Sequence, residues 1–259
     1  MSWLSAGWQV FDDDPDLRTW VEEVRPTALA ATQDPAHIAR WLRCGGTWFA
    51  GVNLLVNDAQ GRVAGSGPLT CAARRAAEAV CGPLPLDRGQ ISVTYPGYPR
   101  PGAGDSPANF RFRRDRDAAH VDGLLPIEPD RRRHLREPHG WILGLPVTDC
   151  SGGASPLVVW EGSHEVLRHA FQRALAGHDP RNWPDIDLTI PYHAARREVF
   201  ASCKRIVLEG RPGQAHLLHR LTLHGVAPWA EMANAPPEGR AVLYFRPELP
   251  DISDWLALP

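Results

Sequence analysis

Gly213-Gln214-Ala215-His216-Leu217-Leu218-His219-Arg220-Leu221-Thr222-Leu223-His224-Gly225 is the stretch that decides the fold of this chain. It opens at a glycine turn, continues as an apolar strand and closes on a histidine followed by glycine. Three histidines compete here for a functional role. On one regular strand His216 and His224 share a face and His219 opposes them.

Two other segments give that strand a meaning. Upstream lies His120-Val121-Asp122. Two residues apart on an extended chain, the imidazole and the carboxylate point to one face and can take adjacent positions on a metal. Alone the motif is weak, because a chain with 11 histidines produces such pairs by chance, and its bland reading is a surface turn. Downstream, Gly239-Arg240-Ala241-Val242-Leu243-Tyr244-Phe245 begins another strand with an arginine, and Arg246 follows. His-x-Asp, then a distant histidine, then an arginine at a strand start form an ordered constellation. Two histidines and a carboxylate leave three metal positions open, the facial triad of non-haem iron(II) oxygenases. The arginine's planar fork suits the far carboxylate of a keto acid chelating that metal. Arg240 and Arg246 lie an even number of residues apart, so both can face one interior. The bland reading of either is a surface arginine.

Working outward, the first ninety residues look partly helical. Asp14-Pro15 and Asp34-Pro35 can each start a helix, and Leu69 to Val80 has an alanine-rich helical pattern. Thr47 to Val56 reads as a strand. Beyond residue 90 the pattern turns to β. Ile91 to Tyr95, Phe110 to Arg113, Trp141 to Val147, Leu157 to Trp160, Leu188 to Tyr192, Arg205 to Leu208, His216 to Leu223 and Ala241 to Phe245 all read as strands, with helix confined mainly to Glu165 to Leu175. That load suits a two-sheet jelly roll with helices packed outside it. The expectation is a single domain over 1–259, with 1–90 as a mostly helical flank and 91–247 as the jelly-roll core.

Composition narrows the function classes. The chain is 43% hydrophobic and 22% charged, with a formal net charge of -2, so no global field favours nucleic acid or an anionic membrane. The longest apolar run, Trp48 to Val56, is too short to cross a bilayer. No secretory signal is visible, and the five cysteines are scattered, which points to reduced thiols in a cytoplasmic protein. Arginines cluster at Arg111-Phe112-Arg113-Arg114 with Arg116, and at Arg131-Arg132-Arg133 with Arg136. Both clusters are interleaved with acids and read as solvated faces with local ion pairs, or less simply as a rim for an anionic substrate. Among the ten tryptophans, Trp3, Trp8, Trp229 and Trp255 are candidate pocket walls or lids.

Three segments carry a resemblance to a known family: Ala119-His120-Val121-Asp122, Leu157-Val158-Val159-Trp160-Glu161-Gly162-Ser163-His164, and the glycine-led strand from Gly213 to Gly225. Over residues 90 to 247 the sequence resembles the phytanoyl-CoA dioxygenase family of iron(II)/2-oxoglutarate oxygenases. It departs from the family pattern at Glu161, at Pro228-Trp229 and in the longer gap before Arg240. The resemblance implies a double-stranded β-helix, iron(II) held by His120, Asp122 and His224, and a non-ligand histidine at His219. It implies 2-oxoglutarate as co-substrate, held by Arg240, which sits at the strand start as in the family, in preference to Arg246. It also implies molecular oxygen as reactant and hydroxylation of a small molecule with release of succinate and carbon dioxide. Asp122 argues against halogenation, which needs that metal position for chloride. His164 reads as bracing its turn, and His139 as structural. The competing readings are a cupin-like metal-dependent isomerase or hydrolase, separable by keto-acid-dependent oxygen uptake, and a non-catalytic binding protein, separable by iron binding without turnover. The sequence is silent on oligomeric state.

Overall fold

The computed structural model describes residues 2–259. In chain order its elements are α1 (Trp3–Ala6), β1 (Trp8–Phe11), α2 (Pro15–Gln33), α3 (Pro35–Trp41), β2 (Leu42–Arg43), β3 (Trp48–Phe49), α4 (Ala72–Cys81), β4 (Gln90–Thr94) and α5 (Pro107–Asp115). There follow β5 (Leu124–Ile127), β6 (Arg132–Leu135), β7 (Trp141–Pro146), β8 (Leu157–Trp160), α6 (Ser163–Leu175), a 3-10 helix (Pro180–Asp185) and α7 (Thr189–Ser202). The chain ends with β9 (Arg205–Leu208), β10 (Ala215–His219), β11 (His224–Val226), β12 (Arg240–Phe245) and α8 (Asp254–Ala257).

The helices of the first part begin where their caps dictate. The Asp14 carboxylate accepts from the amides of Asp16 at 3.0 Å and Leu17 at 3.3 Å, with Pro15 in the first turn of α2. Asp34 caps α3 in the same way, accepting from Ala36 at 2.8 Å and His37 at 3.1 Å.

Two antiparallel sheets build the body of the fold. The larger runs β1-β10-β7-β12-β4-β3-β2 and the smaller β11-β8-β9, with β5 and β6 as a separate hairpin. This is the jelly roll with flanking helices expected from the sequence. Ile142 and Leu218 from the larger sheet meet Leu157, Val159 and Leu208 from the smaller. On the other face of the larger sheet, Leu143, Leu217 and Phe245 are buried in one cluster with Trp20, Val24, Ala73 and Ala77 from α2 and α4. Each large side chain so buried contributes about 1.5–3 kcal/mol. Burial on both faces explains why β7 and β8 read as unbroken apolar runs rather than alternating ones. Among the described residues no helix is long and apolar enough to cross a membrane, and all five cysteines are free thiols.

Several local expectations fail. Phe110 to Arg113 is helix α5, not a strand: the Ser106 hydroxyl accepts from the Asn109 amide at 3.2 Å and Pro107 fills the first turn. The apparent alternation there is too short to separate the two periods. Leu188 to Tyr192 is the start of α7, whose buried residues Tyr192, Ala195 and Val199 recur at helical spacing. Helix in the second part therefore extends beyond Glu165 to Leu175. The strand expected over Thr47 to Val56 shrinks to β3, since Gly51 leaves no room for a side chain and Asn53 takes a positive φ of 53°. His216 to Leu223 is not one strand, because β10 ends at His219 and the chain turns before β11. The edge strand β1, which pairs with β10, is not among the strands expected from the sequence.

Candidate metal centre

Residues remote in sequence meet at one backbone pairing. The His120 amide donates to the His224 carbonyl at 2.8 Å, and the His224 amide returns the bond at 3.0 Å. His224 also pairs with Val159 of β8, so the junction is fixed from both sides. The glycine after His224 is a packing requirement: a Cβ on Gly225 would lie 2.1 Å from the Asp117 carbonyl oxygen. Gly123 closes the turn after Asp122 at φ 83°, where a Cβ would lie 2.2 Å from the Glu137 carbonyl oxygen.

The pairing brings the two imidazole rings to 4.6 Å between centroids. His120 Nε2 lies 3.2 Å from Asp122 Oδ1, and His224 Nε2 lies 3.8 Å from Asp122 Oδ2. One atom from each of the three residues falls within 4.8 Å of the others. The ring orientation is fixed from behind. His120 Nδ1 donates to the Ala118 carbonyl at 3.0 Å and His224 Nδ1 to the Thr222 carbonyl at 2.9 Å. Carbonyls only accept, so each Nδ1 carries a proton, and each Nε2 turns to the common point where a metal would take it as a ligand. Two imidazole nitrogens and a carboxylate oxygen fit a divalent transition metal with positions to spare.

The electrostatics agree with a ligand set. Burial pushes His224 down to about 4, against the attraction of Asp122, so its imidazole is neutral at neutral pH. Burial would raise the Asp122 carboxyl, but the Arg246 charge, with His120 and His224, holds it well below the usual carboxylate range. Arg246 Nη1 lies 3.3 Å from Asp122 Oδ2, and the Arg246 amide donates to Asp87 at 2.6 Å.

The triad faces a chamber of about 200 Å³, walled by Trp48, Val52, Ile142, Leu157 and Val226, with Gln90, Ser92 and Tyr244 as polar lining. The His120 side chain, 51% exposed, marks its open side. Along β12, Arg240, Val242, Tyr244 and Arg246 point to one face. Arg246 reaches the metal end. Arg240 lies at the opposite end of the strand, lining a second cavity of about 160 Å³ with Thr148, Cys150 and Glu209. Tyr244 stands between them. Its hydroxyl is buried with no hydrogen-bond partner, and the Arg240 charge acts on it from nearby.

The other histidines lie elsewhere. His216 Nε2 bonds the Glu209 carbonyl at 3.1 Å. His219 packs against Trp3 and sits 2.9 Å from Arg168 Nη2. His164 Nε2 donates to the Leu4 carbonyl at 2.9 Å, bracing its turn as expected. His139 lies 3.3 Å from Glu137. Of the tryptophans singled out as walls, Trp3 and Trp255 are core residues and none lines the chamber. Trp48 does, and only strand pairing to β4 reveals it, because the isolated residue gives no signal. The arginine clusters do form local ion pairs, including Arg114 with Asp115 at 2.6 Å and Arg132 with Asp187 at 3.2 Å.

No protein-family model and no curated protein matches the sequence. Solved structures match over nearly the whole chain. The non-haem alpha-ketoglutarate-dependent carbocyclase SnoK from nogalamycin biosynthesis is 13% identical, with a TM-score of 0.50 over 97% of this chain and 85% of that one. The epimerase SnoN from the same biosynthesis is 13% identical, with a TM-score of 0.48 over 95% of this chain and 80% of that one. EctD from S. alaskensis is 15% identical, with a TM-score of 0.46 over 95% of this chain and 74% of that one. At such identities the likeness to SnoK shows a shared fold.

Proposed function

We propose that the protein is an iron(II)- and 2-oxoglutarate-dependent dioxygenase that hydroxylates a small molecule, with succinate and carbon dioxide as co-products. The observation that carries this reading is the convergence of His120 Nε2, His224 Nε2 and the Asp122 carboxylate on one wall of a largely apolar chamber. The fold shared with SnoK, itself alpha-ketoglutarate-dependent, supports the same class of chemistry. Iron(II) held by these three residues would supply the activation of dioxygen, coupled to decarboxylation of the keto acid.

The chain's own groups have distinct parts in this reading. Arg246 holds Oδ2 of Asp122, which would leave Oδ1, on the His120 side, free to serve a metal. The far carboxylate of a bound keto acid would need a cation to meet it, because a buried unpaired charge would be costly. In this reading Arg240, which lines the neighbouring cavity, would be that cation, and the buried Tyr244 hydroxyl would add a donor. Val52, Ile142, Leu157 and Val226 keep bulk water from the reacting centre.

The test is succinate formation from 2-oxoglutarate by the iron-loaded protein under oxygen. Slow turnover without added substrate, faster with a true substrate and absent in His224→Ala, is expected. Iron-loaded wild-type protein that forms no succinate across a broad metabolite set would contradict the proposal.

A further inference from the structure

Strand β12 ends at Phe245, whose register partner on β7 is Leu143. Arg246 is the next residue, already beyond the strand and followed by Pro247. Its amide donates to a side chain instead of a neighbouring strand: Asp87 Oδ1, at 2.6 Å. Asp87 lies in the loop before β4, and that loop is itself pinned. The Asp87 carbonyl accepts from Asn57 Nδ2 at 2.8 Å, and the Gly89 amide donates to Asn57 Oδ1 at 2.9 Å. Burial pushes the Asp87 carboxyl up, although the Arg246 amide and charge draw it down. A buried acid kept at such a cost beside a metal centre points to a role there.

At the far end of the same arginine, Nη1 reaches Asp122 Oδ2 at 3.3 Å, while Nε is buried without a partner. The contact is therefore one long hydrogen bond, not the paired fork that arginine can make with a carboxylate. A small shift of the Arg246 main chain would break it. Burial works against the Arg246 charge, but the Asp122 and Asp87 carboxylates outweigh it, so the guanidinium stays charged.

We propose that Asp87 is a positioning residue of the metal centre. By anchoring the Arg246 amide it keeps the guanidinium on Asp122 Oδ2, and so restricts Asp122 to one metal-binding oxygen. A carboxylate released from such a contact can bind a metal through both oxygens. The second oxygen would take one of the three positions that two histidines and one carboxylate leave open, and those are the positions a keto acid and oxygen need. This role for Asp87 rests on the triad being the metal site.

The probe is Mn(II) alone, with water-proton relaxation at saturating metal reporting how many waters the bound ion carries. Wild-type protein should show about three. Arg246→Ala and Asp87→Ala should each lose about one, a fall of about a third in the relaxation enhancement. Asp87→Asn keeps an oxygen to accept from the Arg246 amide and should match wild type. An Asp87 that serves stability alone would leave the count unchanged in Asp87→Ala while lowering the denaturant midpoint. If Asp87→Ala does not fold, Asp87→Leu, which keeps the bulk and removes the acceptor, takes its place. Wild-type enhancement in both the Arg246 and the Asp87 variant would overturn the proposal. So would an Arg246→Ala protein that binds no Mn(II), since Arg246 would then be needed for binding itself. Failure of the metal reading looks different: wild-type protein would bind no Mn(II) at all.

Discussion

Each of the three triad side chains has its position set by a different local contact, and substitutions should separate them. His120→Ala and His224→Ala should each abolish binding of about one iron(II), read by anaerobic titration. His219→Ala should keep the iron, because that ring bonds Arg168 and the Leu221 amide, away from the triad. Its cost should appear as stability instead, about 1–3 kcal/mol for buried groups left unpaired. Arg240 and Arg246 should part company in the same way. Charge-assisted hydrogen bonds are worth roughly 1.5–3 kcal/mol each, so Arg240→Ala should weaken 2-oxoglutarate binding by about ten- to a hundredfold with iron affinity unchanged. Arg240→Lys should recover part of the loss. Arg246→Ala should instead disturb the metal step, because it frees the second oxygen of Asp122. An Arg246 variant that loses only keto-acid affinity, beside an Arg240 variant that keeps it, would exchange the two assignments.

At the scale of elements, the site depends on the short pairing between residue 120 and β11, and Gly225 is its weak point. With the Asp117 carbonyl 2.1 Å from where a Cβ would stand, Gly225→Ala must push the two segments apart. A loss of about 1–3 kcal/mol by denaturant unfolding, with loss of iron binding, is expected. Wild-type stability in that variant would show that the pairing can shift freely. The meeting of His120, Asp122 and His224 beside this pairing was legible in the sequence, because His-x-Asp and a distant His-Gly are motifs of fixed residue type and spacing. So were the capped helices α2 and α3 and the apolar strands β7 and β8, where pattern and burial agree. Helices α5 and α7 were not, because Phe110 to Arg113 and Leu188 to Tyr192 are too short to separate a period of two from one of 3.6. Trp48 and the contact between Arg246 and Asp122 were also hidden. Both depend on which strands lie side by side, and local sequence does not encode that.

For the whole molecule, burial of neutral histidines makes stability depend on pH. Burial pushes His216 down to about 4, against 6.5 for the exposed group. Between those values the unfolded chain binds a proton that the folded chain refuses. Stability from this residue is therefore complete above about pH 6.5 and is lost as the pH falls towards 4, at about 1.4 kcal/mol per pH unit. Denaturant unfolding of His216→Gln should show a slope shallower by about that amount between pH 6 and 5, and an unchanged slope would place the acid sensitivity elsewhere. In the proposed function, the jelly roll closed around His120, Asp122 and His224 holds iron(II) and a chelating keto acid together. Anaerobic addition of iron(II) and then 2-oxoglutarate, followed by visible absorption, tests it most directly. A weak charge-transfer band that saturates with the keto acid, and is missing in His224→Ala, is the expected result. Folded, iron-loaded wild-type protein that develops no such band would contradict the account.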